Sequence, residues 1–94
     1  MTCSIQLRID GDLLGVARVM RVLKRHQATR PEVVLHRELD HEVARVHATL
    51  ESKRRLEGLA AALLKVPAVL DALILDDEVV VAQFSRWPRA RYQL

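Results

Sequence analysis

His36 and His47 lie on either side of Asp40-His41 in a stretch where apolar and polar residues alternate. Two imidazoles on one strand face are the start of a metal site. A metal needs more than two protein ligands, and no cysteine or convergent carboxylate accompanies the pair, so the histidines read as solvated or interface groups and no metal is expected. Asp10 and Asp12 bracket Gly11, and two carboxylates so close together invite an acid–base reading. Turn and helix-cap roles account for both. The lone Cys3 cannot form an internal disulfide and falls on an inward strand position, as a small core residue does in a reducing cytoplasm.

The elements that would position these residues follow from periodicity. Cys3, Ile5, Leu7 and Ile9 alternate with Ser4, Gln6, Arg8 and Asp10, which predicts a first strand with one buried face. Asp10-Gly11-Asp12 breaks it, and Asp12 is placed to cap a helix over residues 13–27. In that helix Val16, Val19, Met20 and Leu23 share one face, with Arg18, Arg21, Lys24 and Arg25 opposite. Pro31 forbids helix continuation, so residues 32–39 and 42–51 are predicted as a hairpin turning at Asp40-His41. Centring the turn there pairs Val33 with Ala48 and Leu35 with Val46 on one face, and Val34 with His47 and His36 with Arg45 on the other. Ser52 caps a second helix whose inner face is Leu56, Leu59, Ala60, Leu63 and Leu64, and Pro67 closes it. Residues 69–76 form a final strand, and Val79-Val80-Val81-Ala82 offers an additional one.

This order predicts an α+β, ferredoxin-like βαββαβ sandwich, a four-stranded antiparallel sheet with two helices on one face. The domain is expected over residues 1–77, with a C-terminal extension over 78–94. Composition agrees with one ordinary globular domain, half hydrophobic and 29% charged, without an apolar run long enough for a membrane span or a secretory signal. The expected location is cytoplasmic. Net charge is +3, and Arg86, Arg89 and Arg91 account for the whole excess of fifteen basic over twelve acidic residues. The body before Phe84 has no aromatic residue for stacking bases, so nucleic acid is not the expected partner. The metal loop of heavy-metal carriers, the aromatic signatures of RNA-recognition domains and a Gly-rich phosphate loop are all missing. No cofactor and no active site are expected.

A βαββαβ chain whose helix opens directly after a turn resembles the ACT domain, a small amino-acid-sensing module of biosynthetic enzymes. More narrowly, V-A-R-V-M-R-V-L-K-R-H at 16–26 and L-E-G-L-A-A-A-L-L-K-V-P-A-V at 56–69 resemble the small regulatory subunit of acetolactate synthase. The likeness runs over roughly residues 4–75. It departs at the strand-to-helix turn, where the family has Pro-Gly and this chain has Leu13-Leu14 with Gly15 one position late, and after the first helix, where the family asparagine is absent. The resemblance implies a non-catalytic, homodimeric subunit that tunes the large subunit of a thiamine-diphosphate-dependent synthase in branched-chain amino-acid synthesis. It also implies an amino-acid effector at Asp10, Asp12, Leu13, Leu14, Gly15 and Val16, its carboxylate on helix N-terminal amides. Phe84, Trp87, Arg89 and Tyr92 are expected to dock the catalytic partner, since Trp and Arg anchor many interfaces. The alternative is a stand-alone oligomerisation module, or a weak nucleic-acid-associated protein using the basic tail.

Overall fold

A computed structural model of the chain describes residues 2–11, 13–38 and 41–85. Strand β1, Cys3–Asp10, passes into helix α1, Leu13–Arg25, and then into the hairpin of β2, Ala28–Glu38, and β3, His41–Leu50. A single 3₁₀ turn, Lys53–Arg55, leads into helix α2, Leu56–Leu64, followed by β4, Val69–Asp76, and β5, Val79–Ser85. The strands lie in the order β2-β3-β1-β4-β5 with antiparallel pairing throughout. Each helix therefore carries the chain past one intervening strand. The sheet has five strands where the sequence pattern predicted four, because β5 adds itself to the free edge of β4.

The buried face of the sheet follows the β1 alternation. Ile5, Leu7 and Ile9 stand beside Ala48, Val46 and Ala44 of β3 and beside Ile74, Ala72 and Val69 of β4. Val19 and Leu23 of α1 and Leu59 and Leu63 of α2 close over them as one cluster. Val16 and Met20 flank that cluster half-buried, and Leu64, expected inward, is half-exposed instead. Cys3 is a free thiol at 1% exposure.

Three local readings change in the structure. The hairpin pairs Val33 with Val46, Val34 with Arg45, Leu35 with Ala44 and His36 with Val43, a two-residue shift from the expected register. Glu38 pairs with His41, so His41 belongs to the strand and not to the turn expected at Asp40-His41; residues 39 and 40 lie outside the described residues. A shift of two preserves which face each side chain occupies, so the apolar pairs remain apolar. Second, β2 begins at Ala28, not Glu32, with Pro31 inside it. Arg30 has φ 54 and the register breaks between Thr29 and Glu32, so two residues oppose one in a bulge on an edge strand, where a missing N–H is tolerated. Third, α1 ends at Arg25, two residues early, because Gln27 at φ 62 turns the chain into the left-handed region and its N–H donates to the Lys24 carbonyl. Ser52 does occupy the cap position of the 3₁₀ turn, but its hydroxyl makes no capping bond.

Strand β4 ends at Asp76, as expected. Asp77 and Glu78 after it are the two central residues of the β4–β5 turn, at φ 51 and 70, with Asp76 paired to Val79. Positive φ at both positions is the signature of a type I′ hairpin, whose twist matches that of its strands.

Candidate functional site

The β1–α1 junction is held from two sides. The Asp10 N–H donates to the Ala68 carbonyl at 2.9 Å and the Gly11 N–H to the Glu42 carbonyl at 2.9 Å, so the chain leaving β1 is tied to the turn before β4 and to the start of β3. Gly11 must be small, since a Cβ there would lie 2.7 Å from the Glu42 oxygen. Gly15 must be small for a different reason: its Cβ would lie 2.5 Å from the Ala68 methyl. The six residues expected at an effector site thus divide. Gly15 is buried and Val16 half-buried against the core, where they seat the helix. Asp10 is exposed, as are Leu13 at 79% and Leu14 at 61%, and these are what the junction presents outward. Asp12 lies outside the described residues. The first turn of α1 holds no acidic side chain among the described residues.

Register places the edge strand at this same end of the sheet. Asp10 pairs with Val43, and Val43 with His36, so β2 stands two strands from the junction, roughly 10 Å at the usual spacing. Val33, Val34 and Leu35 on that edge strand are all exposed.

The sheet face away from the helices carries a second constellation. Arg8 at the centre of β1 places Nη2 2.9 Å from Asp71 Oδ2 of β4 and Nη1 3.1 Å from Glu38 Oε1 of β2, bridging strands on both sides. Glu38 in turn stands 3.4 Å from His36 Nε2 and 3.6 Å from Arg45 Nη2. Burial pushes the Asp71 carboxyl above its ordinary value; the Arg8 guanidinium pulls it back, and the Glu38 carboxylate adds to the push. A contact of 2.9 Å and a raised carboxyl coexist because desolvation, with the Glu38 charge behind it, outweighs the pull of Arg8 and of the more distant Arg45. Sequence alternation assigned Arg8 to this face, but one partner comes from β4 beside it and the other from β2 two strands away, and only the strand order joins them. A shallow depression of about 270 Å³ beside Arg8 is lined by Gln6, Arg45, His47 and Leu73 among others.

The histidine pair is taken apart by the corrected register. His36 lies opposite Val43 and His47 opposite Glu32, four residues further along β3, or roughly 13 Å. Among the described residues, no three of His, Cys, Asp and Glu gather in a metal-holding group. Of the residues expected to dock a partner, Phe84 is in β5 on the helix face, opposite Ala72 and half-buried against the core. Trp87, Arg89 and Tyr92 lie outside the described residues. At the opposite end of the sheet, Lys53 Nζ meets Asp76 Oδ2 at 2.6 Å, and this hydrogen bond and charge hold the ammonium above its ordinary value.

Most of the arrangement superimposes on solved domains. The crystal structure of the ACT domain from GTP pyrophosphokinase of Chlorobium tepidum matches 80% of this chain and 97% of its own at a TM-score of 0.57 and 15% identity. This chain has the ACT-domain fold. The solution NMR structure of the same domain agrees, covering 81% of this chain and 86% of its own at a TM-score of 0.55 and 14% identity. No protein-family model and no curated protein matches the sequence. Among the described residues no helix is long and apolar enough to cross a membrane.

Proposed function

We propose that this ACT-fold chain is a non-catalytic regulatory subunit of a biosynthetic enzyme, similar in kind to the small subunit of acetolactate synthase. In this reading it is cytoplasmic and forms a homodimer along the β2 edge. It joins the large subunit of a thiamine-diphosphate-dependent synthase and takes a free branched-chain amino acid at the β1–α1 junction. The observation that carries the reading is the convergence of that junction with the exposed apolar row Val33–Leu35 at one end of the sheet. A second copy laid against β2 would satisfy its free backbone groups and cover that row. It would also wall the exposed side of the junction, where an effector carboxylate meets the amides of α1 and Asp10 holds the ammonium.

Calorimetric titration with valine, leucine and isoleucine tests the effector. Saturable heat with one of them, abolished by Asp10→Asn, is expected. Silence with all three leaves a purely structural regulatory subunit. Light scattering tests the dimer: a strict monomer at tens of micromolar removes the inter-subunit site, while a dimer broken by Val34→Lys supports it. The likeness to an ACT domain of a GTP pyrophosphokinase favours one further reading, in which the controlled enzyme is a pyrophosphokinase and not a synthase. Affinity capture on the tagged chain separates the two by the activity recovered.

A further inference from the structure

A cleft of about 390 Å³ opens where the chain leaves α1 and comes back to begin its second helical run, at the far end of α1 from the β1–α1 junction. The two places are about 20 Å apart along the helix. His26, Gln27, Ser52, Arg54, Arg55 and Gly58 line the cleft, all but the glycine with polar side chains and none with a carboxylate. The depression beside Arg8, by contrast, includes Asp71. We propose that this cleft binds the phosphate of a small phosphate monoester, of the size of a nucleoside monophosphate, with Arg54 and Arg55 as its principal holders.

Arg54 and Arg55 are cations without another use in the fold. Lys53 beside them is held by Asp76 at 2.6 Å, but neither arginine has an ion-pair partner among the described residues. They stand at the start of the helical run 53–64, where the helix dipole disfavours positive charge, so helix stability does not account for them. What they share is the cleft. His26 is aimed by a separate constraint: its Nδ1 lies 3.1 Å from the Val22 carbonyl oxygen, which can only accept, so Nδ1 carries the proton and donates. That leaves Nε2 on the side of Gly58, where an added Cβ would stand 3.4 Å from it. Nε2 accepts from a singly protonated phosphate and, once itself protonated, donates to a dianion. Ser52 adds a hydroxyl that makes no capping bond.

The donor set chooses among anions. Two guanidinium forks, a hydroxyl, a carboxamide and an imidazole exceed what the two oxygens of a carboxylate can use, and they suit the three terminal oxygens of a phosphate monoester. The cleft is larger than a phosphate alone and falls within the roughly 300–1,000 Å³ of small-molecule sites, so a polar body attached to the phosphate has room. Around it, α1 carries Arg18, Arg21, Lys24 and Arg25 and no acidic residue, and this field raises the local concentration of anions.

Calorimetric titration of the full chain with adenosine 5′-monophosphate at physiological ionic strength tests the site. Saturable binding is expected, weaker for inorganic phosphate and absent for adenosine. Arg54→Gln and Arg55→Gln should each weaken it about tenfold with unchanged circular dichroism, because each removes a charge-assisted bond. Arg18→Gln removes the same charge from α1 roughly 12 Å before His26, beyond the screening length, and should change it by less than about twofold. Gly58→Leu keeps every charge and places a side chain in the cleft from an exposed helix position, so it should abolish binding, and it serves as the test if an arginine variant folds poorly. Any of three results overturns the proposal. Silence from the nucleotide and from phosphate at millimolar concentrations, with an RNA duplex binding or not, shows that the cleft takes no small phosphate. Equal losses in Arg18→Gln and Arg55→Gln mark a diffuse field without a site. Binding retained in folded Gly58→Leu places the phosphate elsewhere.

Discussion

Gly15 of α1 and Ala68, in the turn before β4, meet so closely that a methyl group on the glycine would stand 2.5 Å from that of the alanine. This contact sets how near the first helix lies to the sheet at the junction, and it opposes two effects in Gly15→Ala. Helix propensity gains up to about 1 kcal/mol, whereas overpacking a fixed contact costs about 1–3 kcal/mol. Ala68 is fixed by the Asp10 N–H on its carbonyl, so the clash should win. Urea unfolding should show a net loss of roughly 1–2 kcal/mol. The double variant Gly15→Ala, Ala68→Gly should recover most of it.

The raised Asp71 carboxyl makes a pH prediction with a definite sign. A folded-state value above the unfolded one means the native state binds more protons, so this residue's contribution to stability is present at low pH and lost as pH rises past the ordinary value of 3.8. Asp71→Asn lacks that loss. Plotted against pH, the variant's stability relative to the parent should climb through the window above 3.8 and level off, whatever constant offset the lost Arg8 contact adds. A flat difference would show that burial does not dominate at this carboxyl.

The β4–β5 turn stores removable strain. Asp77 and Glu78 both sit at positive φ, where a Cβ costs about 1–2 kcal/mol for most residues and less for Asp. Asn-Gly suits a type I′ turn, so Asp77→Asn with Glu78→Gly should raise stability by about 1 kcal/mol, part of the gain being returned as glycine entropy in the unfolded chain. Thermal and urea melts would both report it.

What the sequence disclosed and what it hid divide along one line: whether the signal is local. Strand β1 and the inner faces of the two helices are written in periodicities of 2 and 3.6, and β4 in a run of apolar residues, and all of these but Leu64 appear in the structure where those patterns put them. The hairpin register depended on which dipeptide closes the turn, and neither Leu39-Asp40 nor Asp40-His41 carries the glycine that would have marked it. Pro31 was read as a strand boundary because the rule against proline in strands is weaker on an edge with a bulge. Four residues of β5 were visible and its full length was not, since Asp77-Glu78 does not look like a turn. At the junction, sequence pointed to the right stretch but could not show that Gly15 faces Ala68, a contact across fifty-odd positions. The Arg8 bridge is non-local in the same way.

The place of β5 gives the last prediction. Ala82 pairs with Ile74 and Phe84 with Ala72, and both β5 side chains pack against the core from the helix side. Removing the strand turns β4 from an interior strand into an edge and strips one neighbour from Ile74, which is 1% exposed in the intact chain. Phe84→Ala should therefore cost roughly 2 kcal/mol, below the 3–5 of a fully buried ring because this one is half-buried. Ending the chain at Asp77 should cost more than that and leave an unpaired apolar edge prone to association. Ending it at Ser85 keeps all five strands and should leave the cooperative unfolding transition of the sheet in place. The three chains compared by urea unfolding and light scattering decide the matter: a protein ending at Asp77 that is as stable and as monodisperse as the one ending at Ser85 would show that β5 is an ornament on a four-stranded domain.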